Sequence, residues 1–292
     1  MGLMTGTGPL SRKPAGTFNF EPPPPGWAVY LEPTPKRIRV VLGGETIADS
    51  SRAMILQESG QQPIYYFPPE DVRSDFLEPS DRHTHCPKKG DASYHTIRVG
   101  DHVVEAGAWY YPEQLEGAPP IKDLIAFYFN RMDRWLEEDE EIFGHPRDPY
   151  HRIDTLSTHR HIRVLLDGEL LAETENAVAL FESNLPPRWY LPREEVQASL
   201  QDSETVTHCP YKGHAGYYSV VLANGELGLG KDLVWYYADP LPDALRVGGL
   251  VCFFNERVDI ELDGVLQERP DSPWKQGVKG EAQNAAPAQT RG

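Results

Sequence analysis

Two segments, Thr84-His85-Cys86-Pro87-Lys88-Lys89-Gly90 and Thr207-His208-Cys209-Pro210-Tyr211-Lys212-Gly213, bring a thiol, an imidazole and an amine close together along the chain. A Cys beside His or Lys has its thiolate favoured, so Cys86 and Cys209 are candidate catalytic nucleophiles, with His85, His208, Lys89 and Lys212 as proton-transfer partners. Two facts weigh against that chemistry. Adjacent side chains on an extended strand point to opposite faces, which separates His85 from Cys86. A Cys that closes a strand is also more often buried packing than a nucleophile. His83, His85 and Cys86 could begin a metal site, but Val206 aligns with His83 in the second segment and leaves two ligands where zinc takes three or four. No resident metal and no cofactor are expected.

Aromatic residues form the second constellation: Trp109-Tyr110-Tyr111 and Trp235-Tyr236-Tyr237. Strand alternation sends Trp109 and Tyr111 to one side and Tyr110 to the other. Trp109, Tyr111, Trp235 and Tyr237 are therefore candidate walls of a pocket suited to a planar or cationic small ligand. The plainer alternative is that these rings fill a core short of aliphatic residues. Arg131 and Arg257 each precede an acid by two residues (Asp133, Asp259), which predicts an Arg–Asp pair on one strand face or an anchor for an anionic group. Phosphate-binding glycine loops and the common hydrolase signatures are absent from the sequence; GELGLGK (225–231) reads as a hairpin.

These constellations recur because the chain is duplicated. KRIRVVLGGETIADS (36–50) faces RHIRVLLDGELLAET (160–174) with 7 of 15 positions identical, and THCPKKGDASY (84–94) faces THCPYKGHAGY (207–217) with 8 of 11. Repeats in constant order imply two tandem copies of one domain, 27–142 and 151–267. Between them, 143–150 reads as a linker that follows an acidic run, whose like charges would extend it. The ends, 1–26 and 268–292, are poor in apolar residues and are expected to be disordered tails.

The elements that must position the candidate residues are strands. Short Val/Ile/Tyr/Phe stretches are separated by Gly43-Gly44, Gly100-Asp101, Asp167-Gly168, Asn224-Gly225 and Asp263-Gly264, the residues of tight hairpin turns. One short helix per copy is expected over 68–77 and 192–200, where Pro comes early and acids fill the first turn. The expected class is mainly β: two small antiparallel domains, each a barrel or folded sheet with one short helix.

Composition limits the partners. The chain of 292 residues has 28 Lys+Arg against 44 Asp+Glu, a net charge of −16, without a basic cluster. That excludes the electrostatic footprint needed for nucleic acid or an anionic membrane surface. No apolar run is long enough to span a bilayer and no signal-peptide pattern opens the sequence, so a cytoplasmic location is expected. Three cysteines without a Cys-x-x-Cys pattern predict free thiols.

THCPYKGHAGYYSV, LVWYYADP and VCFFNERVDIELDG, with their counterparts THCPKKGDASYHTI, AWYYPE and AFYFNRMDRW, resemble the family called domain of unknown function 427, over both copies. The resemblance implies a β-tent-like fold, small sheets meeting at an angle. That fold group includes the drug-binding domain of cereblon, methionine sulfoxide reductase B and zinc-binding chaperone-like domains. Many of its members hold zinc between paired Cys-x-x-Cys knuckles, which this chain lacks. A nucleotidyltransferase-like label is also attached to the family; the Gly-Ser turn and Asp-x-Asp/Glu pair of that class do not occur here. The expected function is a small-molecule binding module with aromatic-walled pockets, the alternative an enzyme with a Cys nucleophile. Nothing in the sequence names a protein partner.

Overall fold

A computed structural model describes residues 2–222, 225, 227–272 and 275. The chain falls into two compact units that divide between Tyr150 and His151.

In the first unit, tight Gly-containing turns and β-branched runs produce eleven strands: β1 (Val29–Pro33), β2 (Ile38–Leu42), β3 (Glu45–Ser50), β4 (Met54–Glu58), β5 (Ile64–Phe67), β6 (Leu77–Cys86), β7 (Gly90–Val99), β8 (His102–Tyr110), β9 (Ile125–Phe127), β10 (Arg134–Glu137) and β11 (Glu140–Ile142). They form a seven-stranded sheet ordered β1-β4-β5-β9-β8-β7-β6 and a four-stranded sheet ordered β11-β10-β2-β3. The second unit repeats the plan with β12 (Ile153–Thr158), β13 (Ile162–Leu166), β14 (Glu169–Thr174), β15 (Ala177–Glu182), β16 (Arg188–Pro192), β17 (Ser199–Cys209), β18 (Gly213–Val221), β19 (Val234–Tyr237), β20 (Leu250–Phe253), β21 (Asp259–Leu262) and β22 (Val265–Leu266). Its sheets are ordered β12-β15-β16-β20-β19-β18-β17 and β14-β13-β21-β22, strand for strand the order of the first. Even the register shifts recur, between Ser80 and His83 in β6 and between Ser203 and Val206 in β17. The domains are mainly β, as expected, and neither large sheet closes into a barrel.

Alternation decides what each face buries. In β5, Tyr65 and Phe67 join Ile38, Val40, Phe127 and Trp135 in a core shared by the two sheets. Tyr66, between them, enters a second cluster with Leu56, Tyr94, Trp109, Tyr111 and Tyr128. The four-stranded sheets turn where both central residues hold positive φ: Gly43 and Gly44 at +58° and +79°, Asp167 and Gly168 at +50° and +83°. These are primed hairpin turns, which match the strand twist.

Several expectations need correction. The helix expected over 68–77 is two 3-10 turns, Pro69–Asp71 and Ser74–Phe76, and that over 192–200 is the single turn Arg193–Glu195. Early Pro and acids favour a start, but Val72 and Val196 bridge to Ala48 and Ala172, and one turn cannot repay helix nucleation. Within GELGLGK, Gly228–Gly230 form a 3-10 turn between β18 and β19; Asn224 and Glu226 lie outside the described residues. Residues 2–26, expected to be disordered, run as turns on the first unit: Met4 and Ser11 are buried, the Gly60 amide donates to the Met4 carbonyl (2.7 Å), and Ser59 donates to that of Leu10. Composition counts a segment's own apolar residues and is blind to such docking. Nor is 143–150 extended. His145 and Asp148 are buried, and the acidic run before them forms β10 and β11, where Lys36 and the Tyr65 hydroxyl meet Glu137. Of the expected tail 268–292, residues 273, 274 and 276–292 lie outside the described residues.

Trp135 packs against Tyr65, Phe67, Phe127 and Phe129 with 2% of its surface exposed. Trp135→Ala is expected to destabilise the first unit by about 3–5 kcal/mol, read from chemical denaturation.

Candidate functional site

The turn between β6 and β7 builds the site. The Lys89 amide donates to the Cys86 carbonyl (3.2 Å), and Gly90 follows at φ +111°, where a Cβ would lie 3.1 Å from the Glu113 carbonyl. Gly213 repeats this at φ +97°, with a Cβ position 3.3 Å from the Asp239 carbonyl. A glycine is needed at both turns because the backbone is left-handed and another loop crosses closely.

This geometry turns Lys89 and Lys212 inward. Lys89 Nζ pairs with a Glu58 oxygen, and Lys88 Nζ pairs with the other at 2.8 Å. In the second unit Lys212 pairs with Glu182, whose other oxygen lies 3.1 Å from His151 Nε2. Glu58 ends β4 and Glu182 ends β15, yet the lysines belong to turns beside the far edge of the same sheet. In a flat sheet β4 and β6 stand five strand spacings apart, about 24 Å, beyond the reach of a Lys and a Glu laid end to end. The large sheet is therefore curled, and the ion pair clips across its concave side.

The second nitrogen group on each carboxylate comes from a different position. By strand register, Val29 against Glu58 corresponds to Ile153 against Glu182, which makes Trp27 the counterpart of His151. In the first unit Lys88 approaches the Trp27 ring (5.9 Å) and reaches Glu58; in the second, His151 stacks on Tyr211 (3.7 Å) and reaches Glu182. Nitrogen group and aromatic ring have exchanged places, and the carboxylate keeps two nitrogen neighbours.

The electrostatics follow from burial and pairing. Burial pushes the Glu182 carboxyl up, but Lys212 and His151 outweigh it and hold it down at about 2. Glu58 is likewise held below its ordinary value, its desolvation outweighed by Lys89 and Lys88. Burial pulls both lysines down, but Tyr66, Glu58 and Cys86 raise Lys89, and Cys209, Glu182 and Tyr190 raise Lys212. Burial also raises the phenols of Tyr66, Tyr111, Tyr190 and Tyr237, which keeps them neutral donors.

The remaining candidates are distributed by strand alternation. Cys86 is buried with Tyr66 and Tyr111, while Cys209 is partly exposed. His85 faces outward, its Nδ1 2.7 Å from Asp91, and His208 meets His214 edge-on at 4.4 Å. His85 thus lies away from the buried Cys86. Trp109, Tyr111, Trp235 and Tyr237 are all buried; Trp109 Nε1 donates to the Tyr66 hydroxyl (3.2 Å) and Trp235 Nε1 to that of Tyr190 (3.0 Å). They form the floor of the concave side instead of open walls. Tyr111 has 0% exposure and its hydroxyl lacks a hydrogen-bond partner. Arg131 and Arg257 do not pair with Asp133 and Asp259: they donate to backbone carbonyls, Arg131 to Glu105 and Arg257 to Leu229, Lys231 and Asp232. Asp133 instead accepts from the Gly43 amide, and Asp259 pairs with Arg269.

Among the described residues no group of three or more His, Cys, Asp or Glu is placed to hold a metal ion, and no helix is long and apolar enough to cross a membrane. Sequence reasoning missed Glu58 and Glu182. The available signal was Glu58-Ser59 against Glu182-Ser183, an acid kept in both copies after an apolar strand. It also missed the buried Arg188–Glu256 pair (2.7 and 2.8 Å), which is specific to the second copy because Asn130 takes the place of Glu256.

The family model described as Domain of unknown function (DUF427) matches residues 30–138 and again 154–264, and the chain belongs to that family as a tandem repeat. No curated protein matches the chain.

Removing one partner strands a buried charge, so Glu58→Gln is expected to destabilise the first unit by about 3–5 kcal/mol, and Glu58→Leu combined with Lys88→Met and Lys89→Met by much less, in chemical denaturation. Because the folded Glu182 carboxyl sits at about 2 against 4.5 for the free group, its stabilisation is complete above pH 4.5 and is lost as pH falls towards 2. Lys212, raised above 10.5, loses its contribution only above that pH. The gap in stability between the parent and Glu182→Gln should therefore be widest between pH 4.5 and 10.5 and shrink in acid, as read from denaturation midpoints across pH.

Proposed function

We propose that each unit is a small-molecule binding module whose ligand approaches the Cys–Lys–Glu–Tyr cluster along the concave side of the curled sheet, with the aromatic rings as its floor. One observation carries this reading: a buried carboxylate keeps a buried lysine and a second nitrogen neighbour in both copies, although the position supplying the second has changed. A buried ion pair is seldom better for stability than apolar packing, so its retention through such an exchange speaks for a task beyond holding the fold. In the first unit two ammonium groups face one carboxylate, a local positive surplus inside a chain of net charge −16. That surplus, with the unpartnered Tyr111 hydroxyl, favours a ligand with a planar apolar body and an anionic end over the cationic ligand that aromatic walls alone would suggest. Free Cys86, Cys209 and Cys252 are compatible with a reducing compartment such as the cytoplasm.

Native mass spectrometry of the full chain purified from its own host, against the denatured mass, tests the proposal. A retained small anion that is lost from the Lys89→Met and Lys212→Met variants supports it; an empty protein whose variants differ only in stability sinks it. A nucleophilic enzyme is the second reading, favoured by Cys209, which is partly exposed and close enough to Lys212 to raise it. Cys209 is expected to react with a thiol reagent in the native state well before Cys86 and Cys252. Equal protection of all three until denaturation would remove that reading.

A further inference from the structure

Arg82 and Arg131 flank the aromatic cluster of the first unit. The Arg82 guanidinium lies over the Tyr94 ring (4.8 Å) and that of Arg131 over the Tyr128 ring (4.6 Å). Burial raises the Tyr128 phenol, and the charges of both arginines act against it, so the two guanidiniums share one neighbourhood. Arg131 uses one N–H on the Glu105 carbonyl (3.1 Å). Among the described residues no carboxylate pairs with either guanidinium; Asp81, next to Arg82, and Glu105 have exposed side chains.

The second copy shows what this arrangement lacks. The Ala106 amide donates to Thr96 (3.2 Å) as that of Asp232 does to Ser219 (3.0 Å), both residues at a left-handed φ (+46° and +47°). The Arg82 amide donates to Ser80 (3.3 Å) as that of Thr205 does to Ser203 (3.1 Å). Asp232 therefore stands in place of Ala106 and Thr205 in place of Arg82, while Arg257 keeps the role of Arg131, donating to the Lys231 carbonyl. The Asp232 carboxylate accepts from the Ser203 and Thr205 hydroxyls (2.5 and 3.0 Å). Burial lowers the Arg257 guanidinium, and the Asp232 charge acts against it. One copy thus has its own carboxylate beside one arginine; the other has two arginines and no paired carboxylate.

We infer that Arg82 and Arg131 form an oxyanion-binding site, present in the first unit alone, for a doubly charged group such as phosphate. Tyrosine rings cover the guanidinium faces and leave the N–H edges, whose forked geometry suits the oxygens of an oxyanion. A phosphate monoester carries about −1.5 to −2 at neutral pH, which two guanidiniums balance and a single carboxylate does not require. The site uses none of the Lys89–Glu58 residues, so its test is separate from that of the ligand proposed there.

Titration of the full chain with inorganic phosphate, phenyl phosphate and acetate, followed by the arginine Nε–Hε NMR signals, tests the site. Arg82 and Arg131 are expected to shift saturably with both phosphates, and acetate to bind about tenfold more weakly. Tighter binding of phenyl phosphate assigns the site to monoesters and tighter binding of inorganic phosphate to the free ion, and either supports the arginine pair. Arg82→Thr and Ala106→Asp each introduce the second copy's residue at a position whose counterpart accepts it. Each should weaken phosphate binding about tenfold, the first by removing charge-assisted donors, the second by giving Arg82 a carboxylate. The converse pair, Thr205→Arg with Asp232→Ala, should make Arg257 respond as well. No saturable arginine shift in the parent protein, undiminished binding in both first-unit variants, acetate binding as tightly as phosphate, or shifts confined to Lys88 and Lys89 overturns the assignment; the last of these would leave the Lys–Glu cluster as the anion's place.

Discussion

Everything at the candidate site depends on an ion pair that a flat sheet could not make. Glu58 and Lys89, and again Glu182 and Lys212, meet across four to five strand spacings, so the seven-stranded sheet must curl until its distant parts face each other. The curl creates a concave side, and the alternation of β5 and β8 fills that side with Tyr66, Trp109 and Tyr111. Within this setting a charged pair is costly to break, because either partner alone would be a buried ion without compensation. The same pair shares one electrostatic neighbourhood with Cys86 and the neutral Tyr66 and Tyr111 phenols, since Cys86 and Tyr66 raise both Lys89 and Tyr111.

The duplication separates what the fold needs from what each copy may change. Strand order, the register shifts of β6 and β17, turn glycines and the Lys–Glu clip are common to both units. Around them the copies differ in compensated ways. Trp27 with Lys88 is matched by His151 with Tyr211, so an aromatic contact and a second nitrogen neighbour of the carboxylate survive although their positions are reversed. The exchange of Trp135 for its register counterpart Ile260 is compensated less completely and leaves a half-open pocket, beside which Arg188 and Glu256 form a pair the first copy lacks.

The repeat, the mainly-β class and the turn positions were legible in the sequence, because each depends on local pattern: identity between copies, short β-branched runs and Gly pairs that accept positive φ. Alternation also correctly separated His85 from Cys86. The candidate site was legible only in part. Lys89 and Cys86 were visible through their repeated motif, but their carboxylate partner lies about thirty residues away in the chain, and no periodicity links the two. Pocket walls and buried floor look identical in sequence, since Trp109 and Tyr111 fall on one strand face either way. The Arg–Asp spacing misled because backbone carbonyls outcompeted the nearby carboxylates.

Sequence by itself thus determined the elements and their duplication, since hydrogen-bonded strands and tight turns are decided by neighbours along the chain. Tertiary structure alone decided how far the sheet curls, which rings are sealed in, which carboxylate receives each lysine, and where exchanging Trp for Ile leaves space. Those outcomes depend on distances between residues far apart in the chain, and such distances exist only once the sheet has curled.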